Sequence, residues 1–164
     1  MSSFTLQTGY ARINPLDMEK IPKQTLRIID ANINRIGEGL RVLEEVARLL
    51  LDDAVLSQQL KDLRHEMVKV DLSLEQHLLQ ARNSEGDVGI NLEASGEGKY
   101  KDIPATVVAN ARRVQEAMRV IEELSKNPGL PLESDKFKQA RFKLYTIEKE
   151  LFAKVMRQDR VKSE

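Results

Sequence analysis

Arginines and carboxylates make up most of the side chains in this sequence that can do chemistry. Arg35, Arg41, Arg64, Arg82, Arg113 and Arg119 offer planar, forked donors suited to phosphate oxygens. Glu38, Glu45, Glu85, Asp87 and Glu116 can hold Mg²⁺ or act as a base on a hydroxyl. His65 can do acid–base work, although a single helical histidine also serves as a structural hydrogen-bonder. In Glu85-Gly86-Asp87-Val88-Gly89, two glycines free the backbone beside two carboxylates, which suits a ligand loop or a plain turn.

Missing residues narrow the chemistry further. His65-Glu66 lacks the second histidine of a helical zinc-protease motif, because position 69 is lysine, and His77 is the only other histidine. The chain has no cysteine, which removes thiolate metal sites, disulfide scaffolds and thiol nucleophiles. Gly98-Lys99 looks like the end of a P-loop, but Glu93 stands where glycine is needed and Tyr100 replaces Ser/Thr. The 26 basic residues balance 26 acidic ones in 164 residues, which argues against nucleic-acid binding through bulk charge. No apolar run approaches the roughly 18 residues of a membrane span, and residues 1–22 carry no signal-peptide pattern. The expectation is a soluble, cytoplasmic, helix-rich protein.

The elements that must position these side chains follow from apolar spacing and from Gly/Pro punctuation. Residues 1–21 read as an irregular N-terminal arm, 22–157 as a helical domain and 158–164 as a polar tail. Ile29, Ile33, Ile36, Leu40, Leu43, Ala47 and Leu50 recur every three or four residues, predicting one amphipathic helix over about 24–51. Asp52-Asp53 caps a second helix over about 54–71, and Ser73 caps a further turn or two to Ala81. Residues 82–102, rich in glycine and charge, read as a long loop of the kind that is often functional. Pro104 suits the first turn of a third helix, over about 103–126, and Ser134 or Asp135 caps a fourth that runs to about 156.

The third helix repeats the first. ANINRIGEGLRVLEE at 31–45 and ANARRVQEAMRVIEE at 109–123 share eight of fifteen residues at an offset of 78, including Asn32/Asn110, Arg35/Arg113, Glu38/Glu116 and Arg41/Arg119. Lys61 and Arg64 find a weaker echo in Lys138 and Arg141. The predicted fold is therefore all-α: a four-helix bundle built from two helical hairpins related by a pseudo-twofold axis. Asp30, Asn34, Glu38, Arg41, Glu45 and Arg48 form one stripe, roughly opposite the apolar face at Ile36 and Leu43. Shared amphipathicity explains matching apolar positions but not matching Asn, Arg and Glu. The stripes must meet something specific: each other, a second subunit of a homodimer, or a ligand.

Arg27 to Glu45, Leu63-Arg64-His65, Glu85 to Gly89 and the second copy from Asn110 to Glu123 together resemble a particular helical domain. It is the alternative, non-ribokinase hydroxymethylpyrimidine phosphate kinase of thiamine biosynthesis, often fused N-terminal to thiamine-phosphate synthase. The resemblance covers about 25–155 and no synthase barrel follows, so the chain reads as a stand-alone enzyme or an excised domain. It implies ATP-dependent phosphorylation of 4-amino-5-hydroxymethyl-2-methylpyrimidine phosphate to the diphosphate, with ATP and Mg²⁺ as cofactors and a functional link to the synthase. Under that implication Glu38, Arg41, His65 and Asp87 are the expected catalytic residues. Arg35, Arg64, Arg82, Arg113 and Arg119 clamp phosphates, Asn32 or Asn110 pairs with the aminopyrimidine edge, and Glu45, Glu85 and Glu116 hold the metal. A carboxylate or His65 orients the hydroxymethyl oxygen. Two rival readings are an all-helical enzyme of chorismate-mutase type that binds a small dianion, and a non-catalytic helical dimerisation module.

Overall fold

A computed structural model describes residues 14–93 and 98–163. The first thirteen residues of the expected arm, positions 94–97 of the expected loop and the last residue of the expected tail lie outside the described residues. Among the described residues the regular structure is helical, without a β-strand. A short α1 (Pro15–Met18) precedes α2 (Lys23–Glu45), which passes into a π-helical turn (Val46–Leu50). Then come α3 (Ala54–Val68), α4 (Leu72–Ala81), α5 (Ile103–Leu124) and α6 (Ser134–Val161). None of these helices is long and apolar enough to cross a membrane.

The apolar spacing read from the sequence becomes the core. Ile29, Ile36, Leu40 and Leu43 of α2 and Val107, Ala111, Val114 and Met118 of α5 are buried against one another and against their neighbours. Leu56, Leu60, Leu63 and Met67 close the core from α3, and Phe137, Leu144, Leu151 and Val155 from α6. α2 packs on α3, α4 and α5, while α6 packs on α5 and α3, so the contacts are those of a bundle. The α2–α5 crossing is close at Gly39. A Cβ there would lie 2.4 Å from Cγ2 of Val114 and 3.2 Å from the Asn110 carbonyl oxygen, so only glycine fits without displacement.

Several boundaries differ from the sequence reading, each for a local reason. Among the described residues five helices of ten residues or more are present rather than four, because the turn or two expected before Ala81 is a full helix, α4. Its cap is Asp71, whose carboxylate accepts from the Leu74 N–H at 2.8 Å, not Ser73. α2 gives way to the π turn before Leu51, where the Leu51 N–H reaches back to the Val46 carbonyl and Asp52 takes a positive φ of 51°. Asp53 caps α3 as expected, accepting from Leu56 N–H at 2.9 Å, and Asp102 caps α5 ahead of Pro104. Neither Ser134 nor Asp135 caps α6. The Ser134 hydroxyl donates instead to the Glu122 carbonyl, tying α6 to the end of α5. Met18 and Ile21, read as part of an irregular arm, are buried in the core.

Several of the repeated polar residues have partners within the bundle. Glu44 and Glu122, 78 residues apart, are each 3% exposed. Glu44 accepts from Nε of Arg64 on α3 at 2.8 Å, and Glu122 accepts from Nε and Nη2 of Arg141 on α6 at 3.1 and 2.9 Å. Arg41 ion-pairs with Glu44 and Glu45, and Arg119 with Glu122 and Glu123, in the same i,i+3 and i,i+4 pattern. Asn32 and Asn110 each turn their side-chain N–H onto the carbonyl four residues back, at 2.8 and 2.9 Å. A buried carboxylate must be paired. That requirement accounts for Glu44 with Arg64 and Glu122 with Arg141 at matched positions of both copies without calling on a ligand.

Candidate functional site

The first half of α2 and the segment that follows α4 flank an open cavity of about 600 Å³. Arg27, Asp30, Asn34 and Arg35 line it from α2, and Arg82, Asn83, Ser84 and Asp87 from the loop. Arg27, Asp30 and Asn34 follow one another at spacings of three and four, with Arg35 beside Asn34, which puts them along one face of the helix. The loop is brought to that face by two ties. Arg82, the residue just past the end of α4, donates from Nε to Oδ2 and from Nη2 to Oδ1 of Asp30, both at 2.8 Å. Arg27 Nη2 reaches the Asn83 carbonyl at 3.4 Å.

Beyond Arg82 the loop is shaped by its own side chains. Asn83 Oδ1 accepts from the Gly86 N–H at 3.0 Å, and Asp87 Oδ1 accepts from the Gly89 N–H at 2.8 Å. The Glu85–Gly89 segment is thus a pair of side-chain-stabilised turns that carries Asp87 to the cavity and leaves its Oδ2 without a protein partner among the described residues. Hydrogen bonding to Asp30, reinforced by its charge and by Glu75, makes the Arg82 guanidinium hold its proton still more tightly than a free arginine. Arg35 contributes a guanidinium whose Nη1 leans on Asn32 Oδ1 at 3.5 Å.

Four of the residues expected from the sequence meet here: Asn32, Arg35, Arg82 and Asp87. Asn32 is buried, and its side-chain N–H is taken by the Ile28 carbonyl, so it lines the cavity without a free donor at that bond. The other expected residues lie elsewhere. Arg41, Arg64, Arg119 and Glu45 are in the ion pairs described above. Glu38 on α2, His65 on α3, and Arg113 and Glu116 on α5 are exposed outside this cavity, and Asn110 is buried at the α2–α5 crossing. Glu85 is exposed on the loop and does not line the cavity. Among the described residues no three His, Asp or Glu side chains converge as a metal site, so Glu45, Glu85 and Glu116 do not form one together. Sequence reasoning missed Arg27, Asp30 and Asn83 as site residues. Asp30 and Asn34 were visible in the polar stripe, but their tie to Arg82 spans 52 residues and leaves no periodic trace.

Residues 27–150 match the ThiD2 family. The chain belongs to the ThiD2 family. Among curated relatives of this ThiD2 domain, the thiamine-phosphate synthase of Rhodopirellula baltica is 39% identical over 105 residues, covering 63% of this chain and 28% of that protein. The thiamine-phosphate synthase of Nostoc punctiforme is 38% identical over 135 residues, covering 81% of this chain and 37% of that protein. That of another Nostoc species is 36% identical over 140 residues, 85% of this chain and 39% of that protein. The ThiD2 domain therefore spans between 28% and 39% of the length of these relatives. No solved structure matches the chain.

Proposed function

We propose that this ThiD2 domain transfers the γ-phosphoryl group of ATP to 4-amino-5-hydroxymethyl-2-methylpyrimidine phosphate, giving the diphosphate. The observation that carries the reading is the cavity itself. Arg27, Arg35 and Arg82 arrive from two separate elements at one opening that also holds a single open carboxylate, Asp87. Forked cations around a space of about 600 Å³ suit a phosphorylated small molecule, and phosphoryl transfer asks mainly for positioning and charge neutralisation. Family membership and relatives named thiamine-phosphate synthase support the pyrimidine as the substrate.

The chemistry assigns the roles. In the monophosphate the hydroxymethyl oxygen already carries phosphorus, so the attacking atom is an oxygen of that phosphate rather than the hydroxymethyl oxygen. A new O–P bond forms, the bond from γ-phosphorus to the β,γ-bridging oxygen breaks, and ADP leaves. A phosphate with a second pKa near 6 is largely dianionic at neutral pH, so no strong base is needed. Arg82 and Arg35 would hold the acceptor phosphate, with the side-chain oxygen of Asn34, whose Nδ2 leans on Asp30, turned to the ring edge. The donor set fits a Mg²⁺ carried mainly by the nucleotide phosphates with one protein carboxylate, Asp87, rather than an all-protein cage. When bound, that ion would neutralise charge on the transferring phosphoryl group. A pseudo-twofold relation between the hairpins belongs to the same reading, with one copy modified into the site and the other kept as scaffold.

Because Arg41 and Arg119 are engaged within their own helices, a site at the cavity is favoured over an interface built on the stripes. Incubating the full chain with the pyrimidine monophosphate and Mg·ATP tests the proposal, with ³¹P NMR reading the products. The expected result is pyrimidine diphosphate and ADP in equal amounts. Wild-type protein that produces neither, while retaining its helical spectrum, overturns the kinase reading.

A further inference from the structure

We propose that Asp30 is a positioning residue for the phosphomonoester: its carboxylate locks the Arg82 guanidinium from one side and leaves Nη1 for the ligand's phosphate oxygens. The inference rests on the reading above that the cavity takes a phosphate. Asp30 is 7% exposed and sits inside α2, where aspartate is a poor helix former and its charge is costly unless paired. Both of its oxygens are taken. Oδ2 accepts from Arg82 Nε, and Oδ1 accepts from Arg82 Nη2, with Asn34 Nδ2 at 3.5 Å as a further neighbour. A carboxylate so occupied is neither an open base nor a free metal ligand.

What the pair holds is more telling. Arg82 is 41% exposed, lines the cavity and begins the loop that carries Asp87. Of the five guanidinium N–H groups, two point to Asp30 and three remain. An arginine at a loop start would otherwise lose rotamer freedom when it meets an anion, and here that ordering is complete before binding. The second copy lacks the device. Seventy-eight residues on, Asp30 is matched by Val108 and Arg27 by Ala105, while Arg35 is matched by Arg113. A positive patch alone would need only the arginine.

Charge and positioning predict opposite signs, which makes the inference testable. By charge alone, Asp30→Asn removes a negative group from an anion site and should tighten phosphate binding. By positioning, it frees Arg82 and weakens binding by about 10-fold, the value of a hydrogen bond to a charged group. The experiment is calorimetric titration of the full chain with inorganic phosphate and, separately, with the pyrimidine monophosphate. The proteins compared are wild type, D30N, Arg82→Lys and the D30N/R82K double variant. Weaker binding to D30N and R82K by similar factors, with the double variant no weaker than either, supports the assignment, because both changes break one fork. D30N binding as tightly as wild type or tighter overturns it, as does an additive double variant. Should D30N fail to fold, R82K alone decides: it keeps the charge, so unchanged phosphate affinity overturns the role of the fork. A wild type that binds neither probe overturns the cavity reading along with it, which separates that failure from a failure of Asp30 alone.

Discussion

Glu122 accepts two hydrogen bonds from Arg141, at 3.1 Å from Nε and 2.9 Å from Nη2, and so fastens α5 to α6 in the interior of the bundle. Its counterpart in the first copy, Glu44, is fastened to Arg64. Removing the cation from such a pair strands a buried carboxylate, which costs about 3–5 kcal/mol. Arg141→Met is expected at the low end of that range, because Arg119 Nη1 remains 3.2 Å from Glu122 Oε1. Replacing both partners, Glu122→Leu with R141M, should recover most of the loss, since no unpaired charge is left. Urea unfolding of the two variants checks this. A double variant as unstable as R141M would mean that packing at Arg141, not the carboxylate, sets the cost.

This pair shows how far the sequence could be read. The repeat made clear that Asn, Arg and Glu at fixed positions must meet something specific, and the echo between Arg64 and Arg141 held the other half of the answer. Glu44 follows buried Leu40 by four residues and precedes buried Ala47 by three, so the apolar period itself puts its carboxylate on the inner face. A carboxylate on that face calls for a buried partner in the neighbouring helix. The cavity was legible only in pieces. Arg35, Arg82 and Asp87 have the right chemistry, but what joins them is the Asp30–Arg82 fork across 52 residues, and periodicity carries no information at that distance. The helix count failed at α4 because Asp71, not the expected Ser73, caps it, and the expected turn or two becomes a ten-residue helix.

Gly39 offers a second test, of the α2–α5 crossing. Alanine in a helix interior is favoured over glycine by about 1 kcal/mol, yet the new Cβ would lie 2.4 Å from the stiff, β-branched Val114. Overpacking of this kind costs roughly 1–3 kcal/mol, so Gly39→Ala is expected to destabilise on balance. In a Val114→Ala background the clash is gone and the sign should reverse, leaving the helix-propensity gain. Thermal unfolding of the four proteins of this cycle reads the result. Destabilisation of equal size in both backgrounds would place the conflict at the Asn110 carbonyl instead.

The cavity distinguishes two arginines that the repeat makes equivalent. Arg35 lines it, whereas Arg113, its match in the second copy, is exposed on α5 outside it. Arg35→Ala should therefore lower kcat/KM for the pyrimidine monophosphate by about 10-fold or more, the worth of a charge-assisted hydrogen bond to phosphate. Arg113→Ala should leave it near the wild-type value. Steady-state kinetics on both variants decides which copy carries the chemistry, and equal losses would move the site to a surface shared by both.

The ion pair between Asp53 and Lys154 makes stability depend on pH. It joins the cap of α3 to α6, and its carboxylate is held below its ordinary 3.8, chiefly by the hydrogen bond from Lys154 and then by the Leu56 N–H. A carboxylate lowered in the folded state contributes stability that is complete above 3.8 and is lost as pH falls through the lower folded value. Lys154, raised above 10.5 by the same bond and by Glu150, contributes stability that is complete below 10.5 and fades at still higher pH. Asp53→Asn keeps an effective N-cap while removing the charge, so it isolates the pair from the cap. Its melting temperature should lie below that of wild type at neutral pH, and the two should converge as the solution is acidified below 3.8. Added salt should narrow the neutral-pH gap, because the pair is near the surface and is screened. Parallel melting curves with a constant gap down to about pH 2.5 would show that Asp53 stabilises the fold only as a cap, with no linkage to its proton.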